Sequence, residues 1–138
     1  NQPKELNDNK NFILKRYEYC FIMLNLHPYN AGHLLVVPYK HKPKLYNFNK
    51  EERIEFIEAI NEGTNTLKKV LKFDGVNIGI NIGKASGGSI PTHLHAHIVP
   101  RWYGDTNFLV ASANTKQIPF DLNEIYKKLY KFFNKIKR

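Results

Sequence analysis

Three histidines stand at every second position of residues 92–101, where His93, His95 and His97 alternate with apolar residues. Successive side chains of a β-strand point to opposite faces, so the three imidazoles are expected on one side and their apolar neighbours in a core. Next-but-one side chains are roughly 7 Å apart on a strand, close enough to contact one ligand with several phosphates. The pattern therefore indicates chemistry more than packing.

Two kinds of chemistry fit a row of imidazoles. Metal binding is the first, because imidazole is the commonest metal ligand and a catalytic zinc usually has three protein ligands. However, His93 and His97 would lie about 13 Å apart on a straight strand, which is far for bonds near 2.1 Å. No Asp, Glu or Cys lies within the motif to complete a site.

Nucleophilic catalysis is the second. Histidine is nucleophilic when neutral, and with an ordinary pKa near 6.5 much of it is neutral at pH 7. A central imidazole, His95, could attack a phosphorus atom while a flanking histidine donates a proton or a hydrogen bond. The spacing, the loop before the motif and the charge of the chain favour this interpretation, although three surface histidines without a role also remain open.

The composition sets the class of protein. A chain of 138 residues with 42% hydrophobic and 24% charged residues indicates one soluble globular domain. No apolar run approaches the roughly 20 residues of a membrane span, and no signal peptide is evident. The lone Cys20 excludes an intrachain disulfide and fits the cytoplasm.

The formal net charge of +9 attracts anions, either phosphates of small molecules or a nucleic-acid backbone. The lysines crowded near the C-terminus equally fit a solvated helix face, so nucleic acid is not the expected partner.

Hydrophobic patterning predicts the strands that must position the histidines. Residues 12–15 and 19–24 form two apolar runs around a short polar turn, and residues 33–38 form a nearly continuous apolar strand expected to be buried on both faces. Residues 76–82 alternate apolar with small or polar residues. The loop 83–89 supplies glycines, a lysine and serines that suit phosphate contact. Residues 1–10 are expected to be flexible.

The clearest predicted helix covers residues 49–71. Asn49 is a suitable N-cap with Glu52 three residues later, and Gly63 predicts a bend or a close contact. A core-facing stripe at helical spacing is predicted for Ile54, Ile57, Ile60, Thr64, Leu67 and Leu71.

A second helix is predicted after Asp121, with Glu124 contributing to its cap. Its predicted core face consists of Leu122, Ile125, Leu129, Phe132 and Ile136.

The run His93-Leu94-His95-Ala96-His97-Ile98-Val99 resembles the signature of the histidine triad (HIT) family. Residues 25–28 and 32–38 resemble the early strand, loop and strand of that family, and Gly87-Gly88-Ser89 precedes the triad at the family's distance. The resemblance extends from about residue 12 to 108. It implies an α+β HIT-like fold, with an antiparallel sheet of about five strands, one long helix and a C-terminal helix, in a single domain over residues 1–138 that pairs as a homodimer.

The resemblance also implies roles for the histidines. His95 would be the nucleophile that takes a nucleoside monophosphoryl group from an α-phosphate. His97 would contact the phosphate and protonate the leaving group, and His93 would orient neighbouring groups. His33 is interpreted as structural.

Nucleotide-binding residues follow from the resemblance in the same way. Asn25 would hold the ribose hydroxyls, and Asn81, Gly88 and Ser89 would contact phosphate. Arg101 and Asn107 would hold the distal phosphates or the acceptor.

The predicted function is cleavage of dinucleoside polyphosphates such as diadenosine tetraphosphate at the α-phosphate, through a nucleotidyl-His95 intermediate that phosphate or water resolves. The motif after the triad is similar to that of bacterial diadenosine tetraphosphate phosphorylases. The resemblance implies no required cofactor and allows the substrate to be presented as a magnesium complex.

Three alternatives stay open. One is a nucleoside phosphoramidate hydrolase, against which Pro100-Arg101 argues because that branch more often has glycines there. Another is a nucleotide-binding scaffold or signalling protein with little turnover, and the third is an enzyme that removes adenylate from nucleic-acid ends. Because the Cys-x-x-Cys pair of many bacterial relatives is absent, no structural zinc is predicted, and His41 is interpreted as a surface loop residue.

Overall fold

The computed structural model describes residues 8–87, 93–105 and 121–135. Within these residues, five strands form one antiparallel sheet in the order β1-β2-β3-β5-β4. The strands are β1 (Ile13–Arg16), β2 (Cys20–Leu24), β3 (Leu34–Pro38), β4 (Gly75–Ile80) and β5 (Ala96–Arg101). The helices are α1 (Lys50–Leu71) and α2 (Leu122–Phe133), with short 3-10 turns at Leu45–Asn47 and Lys84–Ser86. The predicted α+β fold with five strands, a long helix and a C-terminal helix is confirmed.

One face of the sheet is buried under α1, and the other is open. Alternate residues of β2 and β3 are buried, and the residues between them, such as Met23 and Leu35, are only partly buried. The expectation that residues 33–38 are buried on both faces is therefore wrong, because α1 covers only one side of the sheet. The second face is left free for a ligand.

The caps of α1 follow the sequence prediction. The Asn49 side chain accepts from the Glu52 N–H at 2.9 Å, and the Glu52 carboxylate accepts from the Asn49 N–H at 2.8 Å. Lys72 ends the helix in the left-handed conformation. These reciprocal bonds satisfy N–H groups that an uncapped helix end leaves without a partner.

The predicted core stripe of α1 is partly wrong. Ile54 and Ile57 are 53% and 56% exposed. Ile60 and Leu67 are buried as predicted, and Phe56 and Ala59 complete the buried stripe. The small residues of this stripe let the helix approach the sheet closely, and a Cβ atom added to Gly63 would lie 3.1 Å from Ile98 Cδ1. The close contact predicted at Gly63 is confirmed.

Helix α2 packs against α1 and β1. Asp121 caps it by accepting from the Asn123 N–H at 2.9 Å. The predicted core residue Phe132 is 43% exposed, whereas the neighbouring Phe133 is 2% exposed. The core face is thus shifted by one residue there, and it consists of Ile125, Tyr126, Leu129 and Phe133. Ile136 lies outside the described residues.

The chain enters the described part at Asp8, whose carboxylate forms an ion pair with Arg16 at 2.8 Å. Residues 1–7 of the segment predicted to be flexible lie outside the described residues. Among the helices described, none has the length and apolar character needed to cross a membrane.

Candidate active site

The three histidines lie on the open face of the sheet, at the start of β5. His97 belongs to the strand, while His93 and His95 precede it, so the strand is shorter than the sequence predicted. Leu94 and Ala96 between them are 2% and 0% exposed and point into the core. The rings of His95 and His97 are 4.9 Å apart between centroids, which places two imidazoles within reach of one phosphorus centre.

The backbone fixes the proton of His95. Its Nδ1 atom lies 2.9 Å from the carbonyl oxygen of His93. A carbonyl oxygen can only accept, so Nδ1 carries the proton and donates. The Nε2 atom of the neutral ring consequently holds a lone pair, which is the atom a nucleophilic imidazole uses.

A chain of hydrogen bonds fixes the proton of His97. The Tyr29 N–H donates to His33 Nδ1 at 3.1 Å, so the proton of His33 is on Nε2. His33 Nε2 lies 2.9 Å from His97 Nδ1 and donates to it. His97 therefore accepts at Nδ1 and carries its own proton on Nε2, where it can donate to a ligand. This arrangement sets a lone pair on one triad ring beside an N–H on another.

His93 contacts the end of β3 and His41. Its Nε2–H donates to the carbonyl oxygen of Pro38 at 2.8 Å, and its ring lies 4.1 Å from the ring of His41 between centroids. The hydrogen bond ties the segment that enters β5 to the end of β3. It holds the His93 backbone, whose carbonyl in turn orients His95.

Burial keeps these imidazoles neutral. Loss of solvation lowers the pKa of His33 to about 4, with smaller contributions from His97 and His95. Loss of solvation also lowers the pKa of His97, and His95 adds to the effect. The pKa of His93 is lowered by burial, even though its bond to Pro38 acts in the opposite direction. The neutral tautomers of His33, His93 and His97 are therefore the forms present near pH 7.

Asn25 lies beside His33. Its Nδ2 atom is 3.4 Å from both ring nitrogens of His33, and its Oδ1 atom accepts from the His27 N–H at 3.0 Å. The amide is partly exposed. It retains acceptor capacity that a hydroxyl group could use.

Arg101 stands at the far end of β5, and its guanidinium is already paired. Its Nη2 and Nε atoms bond Asp105 at 2.9 and 3.0 Å, and its Nη1 atom bonds Asn77 Oδ1 at 2.6 Å. Asp105 also accepts from Asn30 Nδ2 at 2.8 Å. These bonds hold the Arg101 side chain in place. The side chain lies on the same face as the triad, but these bonds do not connect it to the triad.

Asn81 directly follows the end of β4, where Gly79 pairs with His97 and Ile80 pairs with Ala96. Its contact with the phosphate stays a prediction. The predicted site residues Gly88, Ser89 and Asn107 lie outside the described residues.

The sequence interpretation missed the part played by two residues of the β2–β3 loop. His33 was expected to be structural, but it bonds His97 directly. Tyr29 provides the N–H that fixes the His33 tautomer, and its ring centroid lies 4.7 Å from that of His33 and 6.2 Å from that of His97. Strand alternation places His33 on the same face as Leu35, but the pairing of Leu35 with His97 emerges only from the structure.

The family profile described as "HIT domain" matches residues 7–103. The chain belongs to the HIT family. The sequence prediction of the family is thereby confirmed.

Two relatives of this HIT protein carry names of dinucleoside polyphosphate enzymes. A protein named AP-4-A phosphorylase from Mycobacterium tuberculosis is 38% identical over 115 residues, covering 83% of this chain and 59% of the relative. A bis(5'-nucleosyl)-tetraphosphatase (asymmetrical) from Schizosaccharomyces pombe is 30% identical over 107 residues, covering 75% and 58%. This chain thus spans about three fifths of the length of these two curated relatives.

Solved structures share the HIT fold. A zinc-bound histidine triad family protein from Mycobacterium smegmatis superposes with a TM-score of 0.73 at 27% identity, covering 89% of this chain and 84% of that one. Among the residues described for this HIT protein, no group of three or more His, Cys, Asp or Glu side chains could hold a metal. The absence of a structural zinc stays a prediction.

Proposed function

We propose that this HIT protein cleaves dinucleoside polyphosphates, of which diadenosine tetraphosphate is the type substrate, at the α-phosphate. The observation that carries the proposal is the pairing of two tautomers, with a lone pair on His95 Nε2 and an N–H on His97 Nε2. The names of the relatives support the same class of substrate. The reaction needs no cofactor, and magnesium would enter only with the substrate's phosphates.

In the first step, His95 Nε2 attacks the α-phosphorus. The Nε2–P bond forms as the bond from phosphorus to the bridging oxygen breaks, and the electron pair of that bond leaves with the second nucleotide. The His95 ring becomes cationic, since both nitrogens are now substituted. The His93 carbonyl already accepts from Nδ1 at 2.9 Å and therefore stabilises the positive ring.

His97 acts on the leaving oxygen. Its Nε2–H donates a hydrogen bond to the bridging oxygen as negative charge develops there. His33 Nδ1 is occupied by the Tyr29 N–H, so the His33–His97 pair cannot pass a proton onward. A nucleoside polyphosphate is a weak base, comparable with a phosphate monoester whose second pKa is about 6, and it leaves as an anion without needing a full proton.

The need of the leaving group for a proton distinguishes the proposed reaction from that of a phosphoramidate hydrolase. An amine leaving group departs only after it receives a proton, whereas the burial that lowers the pKa of His97 keeps the ring neutral. The site in its free state therefore fits a polyphosphate leaving group better. We expect a lower kcat/KM for adenosine phosphoramidates than for diadenosine tetraphosphate.

The nucleoside would lie over the open face of the sheet. Met23 and Leu35 form a cross-strand row that ends at His97, and Phe21 and Val37 form the next row toward His95. These partly buried side chains offer an apolar surface for a base. Asn25, at the edge of this surface, would hold the ribose hydroxyls.

The phosphates would continue past the triad. We propose that Asn81, Gly88 and Ser89 contact the phosphate under attack, and that Arg101 and Asn107 hold the distal phosphates or the acceptor. The hydrogen bonds that Arg101 donates to Asp105 support a guanidinium held in one orientation.

Product analysis tests the function. The protein is incubated with diadenosine tetraphosphate with and without inorganic phosphate, and nucleotides are separated by ion-exchange chromatography. ADP and ATP formed only with phosphate identify a phosphorylase, and AMP and ATP identify a hydrolase. His95→Ala is expected to lower kcat by about three orders of magnitude or more. Absence of turnover under both conditions would contradict the proposal and favour a nucleotide-binding scaffold.

We propose in addition that the protein is a homodimer. Strand β4 is one of the two edge strands of the described sheet, and its Ile78 is 48% exposed. Ile54 and Ile57 of α1 are more than half exposed, and unpaired edge strands with apolar side chains favour association. Light scattering should give twice 16.1 kDa, and Ile54→Glu with Ile57→Glu should give the monomer. A monomeric parent protein would contradict this proposal but not the activity.

A further inference from the structure

We propose that Tyr29 is a positioning residue for His97, whose imidazole its ring flanks and shields from water. The expected effect of Tyr29 on turnover rests on the function proposed above, whereas its expected effect on the protonation of His97 does not.

The geometry of the Tyr29 ring carries the proposal. The ring is stacked on His97 with an interplanar angle of 12° and a centroid distance of 6.2 Å, and it lies 4.7 Å from the His33 ring. Offset stacking at 4.5–7 Å is a favourable arrangement for aromatic rings. Tyr29 is 64% exposed, so core packing does not account for its position. One aromatic ring thus contacts both members of the His33–His97 pair.

Hydrogen bonds hold the loop that carries this ring. The Tyr29 N–H donates to His33 Nδ1 at 3.1 Å. The next residue, Asn30, is 1% exposed, and its Nδ2 atom donates to the Pro100 carbonyl at 3.0 Å and to Asp105 at 2.8 Å. The loop is therefore fastened to β5, the strand that carries His97. Tyr29 cannot move far from His97 without the loss of these bonds.

The ring completes the surroundings of His97. His33 fixes the edge of the imidazole that bears Nδ1, and the Tyr29 ring lies alongside, nearly parallel to the imidazole. Besides Tyr29, the described titratable groups with ring contacts to His97 are His33 and His95, and its cross-strand neighbours Leu35 and Gly79 carry no charge. Removal of the Tyr29 ring admits water to His97, and water favours the charged imidazolium.

Protonated His97 cannot accept from His33, because its Nδ1 then carries a proton. The His33–His97 bond would break, and the direction of His97 Nε2–H would be lost. Stacking could also stabilise an imidazolium, but a cation–π contact at an exposed site is worth little beside the loss of solvation that already lowers the pKa of His97. The shield is therefore the larger effect.

The experiment compares Tyr29→Ala, Tyr29→Phe and Tyr46→Ala in the full chain. Tyr46 is the matched control, since it is 76% exposed and its ring faces Lys44. The pKa of His97 is measured by NMR on histidine-labelled protein without substrate, and kcat is measured against pH with diadenosine tetraphosphate.

Tyr29→Ala is expected to raise the pKa of His97 by about half a unit or more and to move the acidic limb of kcat to higher pH by the same amount. We expect kcat at pH 7 to fall about tenfold, with a smaller change in KM. Tyr29→Phe keeps the ring, so its kcat and the pKa of its His97 should equal those of the parent protein. Tyr46→Ala should match the parent protein as well.

An unchanged pKa of His97 in Tyr29→Ala overturns the proposal, even when kcat falls, because Tyr29 would then act on the substrate and not through His97. If Tyr29→Phe shows the same raised pKa of His97 and the same lowered kcat as Tyr29→Ala, the proposal is overturned as well, since a hydroxyl contact would be responsible. Tyr29→Leu repeats the test with an apolar side chain if the alanine variant unfolds. A parent protein without turnover contradicts the proposed function, while the NMR titration still decides the role of Tyr29.

Discussion

His33 Nε2 lies 2.9 Å from His97 Nδ1, and the two residues are 64 positions apart in the sequence. The bond makes His33 a fourth histidine of the site. It is 0% exposed, and the Tyr29 N–H assigns its tautomer. A backbone group therefore determines, through His33, which nitrogen of His97 can donate to a substrate.

Replacement of His33 by Leu should lower kcat while the protein stays folded. Leu fills a similar volume, but it leaves His97 free to adopt the other tautomer and to rotate. We expect kcat for diadenosine tetraphosphate to fall on the order of a hundredfold. The control is His27→Leu, an exposed histidine in the same loop. Equal kcat in the two variants would show that the bond to His97 has no part in turnover.

The stability of the protein should fall in mild acid because of His33. Its pKa is about 4 in the folded state and near 6.5 in the unfolded chain, so the unfolded chain binds a proton first as the pH falls. The contribution is fully present above about pH 6.5 and is lost on descent to about pH 4. The free energy of unfolding should drop by about 2–3 kcal/mol over this interval.

Urea unfolding at several pH values between 7.5 and 4.5 measures this dependence. The lowered pKa values of His93 and His97 act in the same direction, so the His33 share is obtained by difference. His33→Leu should show a flatter pH dependence than the parent protein. Parallel curves for the two proteins would contradict the assignment.

Local periodicity explains what could be predicted from the sequence. The alternation of His93, His95 and His97 with core residues placed all three on one face, and the Asn49 cap depends only on residues three positions apart. His33 and Tyr29 escaped because their contacts with His97 depend on the register of β3 against β5, which brings distant segments together.

The helices show the same limit. In α1, Ile57 and Phe56 each belong to an apolar stripe at helical spacing, so the pattern cannot decide which stripe meets the sheet. The sheet decides, because small residues of the Phe56 stripe such as Gly63 allow close approach to Ile98. In α2, two adjacent phenylalanines offer the same ambiguity.

The register of α2 can be tested with those two residues. Phe133→Ala removes a 2% exposed ring from the core and should lower the free energy of unfolding by about 3–5 kcal/mol. Phe132→Ala removes a 43% exposed ring that lies against Lys135 and should cost about 1 kcal/mol or less. Urea unfolding at pH 7 compares them. A larger loss in Phe132→Ala would place the core face where the sequence pattern predicted it.

Gly32, the residue before His33, should tolerate no side chain. Its φ is +81°, and an added Cβ atom would lie 2.4 Å from Leu71 Cδ1 and 3.2 Å from Leu67 Cδ2. The left-handed conformation costs an alanine about 1–2 kcal/mol, and displacement of the leucines adds overpacking of similar size. Gly32→Ala should therefore lower the free energy of unfolding by about 2–4 kcal/mol.

The matched control for Gly32→Ala is Gly79→Ala on β4. An added Cβ atom at Gly79 meets nothing within 4 Å, and its φ is not in the left-handed region. The substitution should change the free energy of unfolding by less than about 1 kcal/mol, because alanine also restricts the unfolded chain. The packing of Gly32 against Leu67 and Leu71 fixes the position of the next residue, His33. If both variants lose the same stability, the loss comes from glycine replacement in general and not from this packing.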